Sequence, residues 1–209
     1  MTVKIAAFDF DETLTRTDSV IPFLQRFVTR RQFATGLLPH TLRVLPLAAR
    51  RDRDQLRALA TQLVFSGRPI AEVEVAAASF GAALLGNGLR RDTEQRLRWH
   101  LQRGHRVAIV SASYEQYVQT VAAGLGDVAV LATRLEVVDG VCTGRLDGPN
   151  CRGPEKVERL RVWLRSQGYT RGDVELYAYG DSLGDEEMLA WADHPHWVST
   201  PLDSVAATV

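Results

Sequence analysis

Cysteine is scarce: the 209-residue chain has only Cys142 and Cys151, and they form no C-x-x-C pair. That argues against a disulfide framework and against a zinc site of the usual spacing. No leader-like segment opens the chain, and no apolar run approaches the roughly 18 to 20 residues that span a bilayer. The expected protein is soluble or at most peripheral, at home in a reducing cytoplasm. Net charge is missing too. The 25 basic and 25 acidic side chains cancel, so global charge names no nucleic-acid partner. Internal repeats, low-complexity tracts and long linkers are also absent.

What is present is ordinary globular usage, 45% hydrophobic and 24% charged, in a length that suits one domain or one domain with a sizeable insertion. The balanced charge is unevenly spread. Residues 16–68 hold ten Arg, no Lys and three Asp, a surplus of seven positive charges that the rest of the chain offsets. A solvated helical face explains such a stretch, and so does a surface for an anionic substrate or a membrane headgroup. Within it, Leu37, Leu38, Leu42, Val44, Leu45 and Leu47 lie near Arg43, Arg50 and Arg51, which allows a peripheral lipid contact.

The pattern along the chain changes twice. A buried strand is expected over Val3 to Phe8. A helical region then begins at Ile21 to Arg30, with Pro22 in a first turn. Leu56, Leu59, Ala60, Leu63 and Val64 form a helical stripe closed by Gly67, and Ile70, Val73, Ala77, Phe80 and Leu84 form a second. Prolines 39 and 46 break the stretch between. From about Leu89, helices and strands alternate, which argues for a parallel sheet with crossover helices. Asp139-Gly140 marks a two-residue hairpin. The expected fold is therefore α/β, a doubly wound, mostly parallel sheet built from 1–15 and 86–209, with an all-α cap inserted at 16–85.

Asp9-Phe10-Asp11 stands at the end of the first strand. Residues i and i+2 share a face, so two like charges there repel unless a cation or a reaction holds them. Punctuation at a turn is the plainer role for aspartate, but three partners occur at comparable places in an open sheet, where ligands bind. Ser111 ends the run Val107 to Val110 and precedes Ser113, an N-cap with Gln116 in capping-box position. With Ala112 it offers a phosphate cradle of hydroxyl and backbone N–H groups. Lys156 falls in the first turn of a helix opened by Gly153-Pro154, where a cation opposes the helix dipole unless an anion binds. Gly180-Asp181 through Asp185 sets two carboxylates four apart at a strand-to-helix turn, suited to a hard cation and its water shell. The five histidines, at 40, 100, 105, 194 and 196, show no ligand spacing, and His194-Pro195-His196 reads as a turn into a final strand.

In that order these motifs resemble those of the haloacid dehalogenase superfamily, in its phosphoserine-phosphatase-like branch with a helical cap after the first motif. The resemblance implies a Mg²⁺-dependent phosphatase of small-molecule phosphomonoesters or phospholipid headgroup phosphates. Asp9 would be the nucleophile that forms an aspartyl-phosphate, and Asp11 the acid and base. Ser111, Ala112 and Lys156 would hold the phosphate, with Asp9, Asp11, Asp181 and Asp185 around the metal. Asp18 stands where the branch has a cap glutamate, and Arg43 is one candidate among ten for the arginine that meets substrate. Phosphoserine phosphatases usually carry Ser or Gly where Glu12 stands and Asn where Gly184 stands, so the implied substrate need not be phosphoserine. A phosphotransferase or mutase of the same superfamily shares these motifs. A receiver-type phospho-acceptor domain combines similar residues, but its aspartate ends a middle strand and it has no such insertion.

Overall fold

The computed structural model describes residues 2–29, 31–32 and 53–198. Its centre is β1 (Val3–Phe8), whose Ile5, Ala6, Ala7 and Phe8 are fully buried. Such a strand is apolar on both faces because helices cover both. β1 pairs in parallel with β2 (Arg106–Tyr114) on one side and β6 (Val174–Gly180) on the other. β3 (Val128–Thr133) lies beyond β2 and β7 (His194–Trp197) beyond β6, giving a five-stranded parallel sheet of order β3-β2-β1-β6-β7.

Alternation along β1 divides the core. Ala6 and Phe8 face one cluster with helices α4 (Arg91–Gln102) and α5 (Glu115–Leu125), while Ile5 and Ala7 face a second with α6 (Pro154–Ser166) and α7 (Glu186–Trp191). The expected doubly wound α/β architecture is the one found. Its order brings the carboxyl ends of β2, β1 and β6 side by side.

The chain leaves the sheet after Thr15 and returns at Leu89, and these two residues form an antiparallel bridge. Arg16 N donates to Gly88 O and Arg90 N to Leu14 O, each at 2.9 Å, so the two linkers are tied together. Between them lie α1 (Val20–Leu24), α2 (Arg53–Phe65) and α3 (Ile70–Ala83), the last running on as a π turn over Leu84–Gly88. Two expectations for this region change. The helix expected over Ile21 to Arg30 is only five residues long. Arg26 and Phe27 donate to carbonyls three residues back, and this tighter winding accompanies packing of Phe23 and Phe27 into a ring cluster with Phe65, Phe80 and Tyr117. Tertiary packing overrides helix continuation here.

The second change concerns length. Ile70–Gly88 forms 19 helical residues of mean hydropathy 1.2, long and apolar enough by those measures to cross a membrane, where no such run was expected. It packs along one stripe only, with Val73, Ala77, Phe80 and Gly81 buried and a Cβ on Gly81 placed 2.6 Å from Thr120 Cβ on α5, while Glu72 and Glu74 sit on it. The hairpin expected at Asp139-Gly140 is found. β4 (Leu135–Val138) and β5 (Val141–Leu146) turn through Asp139 and Gly140, both at positive φ, as a type I′ turn requires. The pair stands apart from the main sheet. Instead β5 meets the α2–α3 turn, with Gly67 N donating to Cys142 O at 2.9 Å and Cys142 N to Arg68 O at 2.8 Å. A hairpin from the second half of the chain thus backs the inserted helices.

Elsewhere the corrections are local. His194–Trp197 is a strand and no turn; on an edge, Pro195 costs no interior ladder bond, and His194 and His196 stack on Tyr177 and Tyr179. Arg43, prolines 39 and 46 and the apolar residues between Leu37 and Leu47 lie outside the described residues.

Candidate active site

Asp9 follows β1 directly, its amide bonded to Tyr179 O at 2.9 Å, so the strand's own ladder fixes its backbone. Asp11 follows two residues on, and Glu12 adopts the left-handed conformation with φ 58°. A non-glycine residue there is strained; Glu12 is held by its N–H to Thr15 Oγ1 at 3.2 Å and by Arg90 Nη1, which donates to its carbonyl at 3.1 Å. This turn sends the chain sharply from the sheet into the insertion.

Lys156 lies at the centre of the site. It is 2% exposed, and its ammonium bridges Asp9 Oδ1 and, at 2.5 Å, Asp185 Oδ1. Its ammonium is therefore not held in water. Burial pushes the Lys156 ammonium towards losing its proton, but Asp9 and Asp185 outweigh it and the pKa is raised. The other Asp185 oxygen accepts from Asp181 N, Ser182 N and Ser182 Oγ at 3.3, 3.0 and 2.9 Å. Gly180 makes room for this packing, since a Cβ there would meet Asp185 Cβ at 2.5 Å. Asp181 Oδ1 accepts from Thr13 Oγ1 at 2.9 Å, tying the fourth motif to the first.

One oxygen from each of Asp9, Asp181 and Asp185 lies within 4.8 Å of the others. Burial first, then neighbouring carboxylates, raises Asp9 well above the usual carboxylate range, and burial first, then Asp185 and Glu12, raises Asp181. Three buried or half-buried acids share one lysine, so negative charge is in excess, and an all-oxygen donor set of this kind fits a hard divalent cation.

Asp11 points elsewhere. Its Oδ1 accepts from Ser19 N at 2.9 Å and from Ser19 Oγ, and its Oδ2 from Ser113 Oγ at 2.5 Å. Burial, then Asp18, raises its pKa to about 6 against the pull of those hydroxyls. Ser113 is thus no N-cap: β2 runs on through a register shift between Ser111 and Tyr114, and α5 starts only at Glu115. The expected capping box with Gln116 does not form, because the extra residues of the bulge turn Ser113 towards Asp11. Ser111 Oγ accepts from Ser113 N at 3.1 Å.

A pocket of about 110 Å³ opens over these groups, lined by Asp9, Asp11, Ser111, Ala112, Lys156, Asp181 and Asp185, and also by Asp18, Asn150, Arg152 and Arg57. Every described residue expected at the site therefore borders one cavity. Asp18 Oδ1 also accepts from Ile21 N at 3.1 Å, in the first turn of α1. Arg57 was not singled out by the sequence. It sits on α2 with its guanidinium 5.2 Å over the Tyr114 ring, and its Nη1 is buried without a hydrogen-bond partner. Ser19, Ser113 in its actual role and Tyr117 were missed as well.

A parallel sheet flanked by helices, with an aspartate pair, a lysine and an acidic turn at its carboxyl edge, defines an α/β protein of the Rossmann-like class. The haloacid dehalogenase-like hydrolase family model matches residues 6–190. Protein CicA of Caulobacter vibrioides is 38% identical over 191 residues, 90% of this chain and 83% of its own. Among solved structures, a Bordetella pertussis Tohama I protein of unknown function superposes with a TM-score of 0.73 at 27% identity, covering 91% of this chain and 87% of that one. A phosphoserine phosphatase solved as a phospho-aspartyl intermediate analogue gives 0.61 at 25% identity, covering 92% and 84%. The chain belongs to the haloacid dehalogenase-like hydrolase family, and its place there is among the phosphatases.

Proposed function

We propose that the protein hydrolyses a small-molecule phosphomonoester through an aspartyl-phosphate on Asp9. The observation that carries this reading is the Lys156 bridge between Asp9 and Asp185, with Asp181 completing a three-carboxylate cluster at the mouth of β1 and β6. Asp9 Oδ attacks phosphorus and the leaving oxygen departs; Asp11 gives that oxygen a proton, then takes one from the water that hydrolyses the intermediate. Ser111, with the Ala112 backbone, and Lys156 hold phosphoryl oxygens and balance their charge. Asp9, Asp181 and Asp185, with the Asp11 carbonyl, would hold Mg²⁺, which when bound neutralises phosphoryl charge.

Arg57 supports a narrower substrate class. Arg57 lines the pocket and its Nη1 has no hydrogen-bond partner, which is costly unless an anion meets the guanidinium; on this reading the substrate carries a second anionic group beyond the transferred phosphate. Asp18 on the same rim suits a neighbouring cationic or hydroxyl group. On this reading Arg57 takes the arginine role for which Arg43 was one candidate among ten, and the substrate is a small anionic metabolite. Phosphate release from a panel of phosphomonoesters, with and without Mg²⁺, tests it: Asp9→Asn abolishes turnover while the fold persists, and near-native hydrolysis by that variant would sink the assignment.

A further inference from the structure

The acid and base role of Asp11 requires its carboxylate to be aimed, and both its oxygens are already engaged by side chains with no part in the chemistry. Ser19 gives its amide and hydroxyl to Oδ1, and Ser113 gives its hydroxyl to Oδ2. Behind them the Tyr117 hydroxyl lies 2.9 Å from Ser19 Oγ. Counting protons fixes the direction. When Asp11 is ionised, the single Ser19 hydroxyl hydrogen goes to the carboxylate, so Ser19 Oγ accepts from Tyr117, and the chain runs from Tyr117 to Ser19 to Asp11.

All three residues are buried. The Tyr117 ring is set by Phe23 and Phe80, with centroids at 4.7 and 5.2 Å, and a phenylalanine would fill that space equally well. A hydroxyl at such a position therefore serves its partners. We propose that Ser19, Ser113 and Tyr117 are positioning residues that hold the Asp11 carboxylate in the orientation for proton transfer, a proposal that rests on the acid–base reading above. Ser19 belongs to the inserted segment, whereas Ser113 and Tyr117 belong to the sheet and α5. The bracket is complete only when the insertion is seated, since displacing its linker withdraws two of three donors from Asp11.

The test uses leaving groups, because a poor one needs the proton from Asp11 and a good one needs it little. With the full chain and Mg²⁺, Ser19→Ala and Ser113→Ala lower kcat/KM, which reports the leaving-group step alone, by about 10- to 100-fold on an alkyl phosphate but by less than about 3-fold on p-nitrophenyl phosphate. Tyr117→Phe, which removes one oxygen and keeps the packing, shifts the same ratio by about 3- to 10-fold. Equal losses on both substrates, or none, in variants of native circular dichroism overturn the proposal. Asp11→Asn run alongside separates the two ideas: if it does not discriminate between leaving groups, the acid–base reading falls, and the proposal with it.

Discussion

Lys156 Nζ lies 2.5 Å from Asp185 Oδ1, with both side chains nearly inaccessible to water. A buried charge that loses its partner is left uncompensated, at a cost of about 3–5 kcal/mol. Lys156→Met should lower stability by that order in chemical denaturation and kcat by about 100-fold or more. Lys156→Arg should rescue neither, because a pocket fitted to an ammonium has no room for a planar guanidinium. Full activity in the arginine variant would show that only charge matters there.

The excess of carboxylate over lysine predicts a strong effect of divalent cations on folding. Mg²⁺ at about a hundred times its dissociation constant adds ~2.7 kcal/mol, a rise of roughly 5–10 °C in Tm for a chain of this size. Asp181→Asn should remove most of the rise while leaving the metal-free Tm unchanged or higher, since it relieves repulsion. Differential scanning fluorimetry with and without EDTA measures both.

Arg57→Ala should raise KM by about 10- to 100-fold for phosphomonoesters with a second anionic group, the range for a lost charged contact. Substrates without one should be affected less than about 3-fold. A uniform loss across the panel would place Arg57 in packing against Tyr114 rather than in recognition.

His100 predicts the acid side of the stability curve. It is fully buried, its Nε2 is 2.9 Å from the Tyr179 hydroxyl and its Nδ1 2.7 Å from His105 Nδ1. Burial first, then His105 and nearby arginines, lowers its pKa to about 3. The unfolded chain binds a proton near pH 6.5 that the folded one refuses, so the stabilisation is present above that pH and is lost as pH falls towards 3. His100→Gln should flatten the decline between pH 7 and 5, and an unchanged slope in urea titrations would exclude His100 as its source.

The site was legible wherever an apolar strand ended in chemistry-bearing residues: Asp9 after Phe8, Ser111 after Val110, and Asp181 after Tyr179 and Gly180 each stand where an apolar run stops. Lys156 was legible by position but not by environment, because the first turn of a helix says nothing about which carboxylates will surround it. Ser19 and Tyr117 carried no signal, since their meeting depends on residues 98 apart. Ser113 carried a misleading one: its spacing to Gln116 imitates a capping box that a bulge in β2 overrides. The hairpin was plain from Asp139-Gly140, whereas its partner was hidden, because main-chain pairing to Gly67 and Arg68 leaves no mark on side-chain pattern.

That pairing bears on how such enzymes diversify. The inserted helices are anchored at the Thr15–Leu89 linkers and again, through Cys142, to a hairpin encoded some seventy residues later. They are not an exchangeable module. A chimera that takes residues 16–88 from a relative and keeps the native hairpin inherits mismatched halves of one interface, whereas moving the 135–146 segment along with them transfers that interface whole.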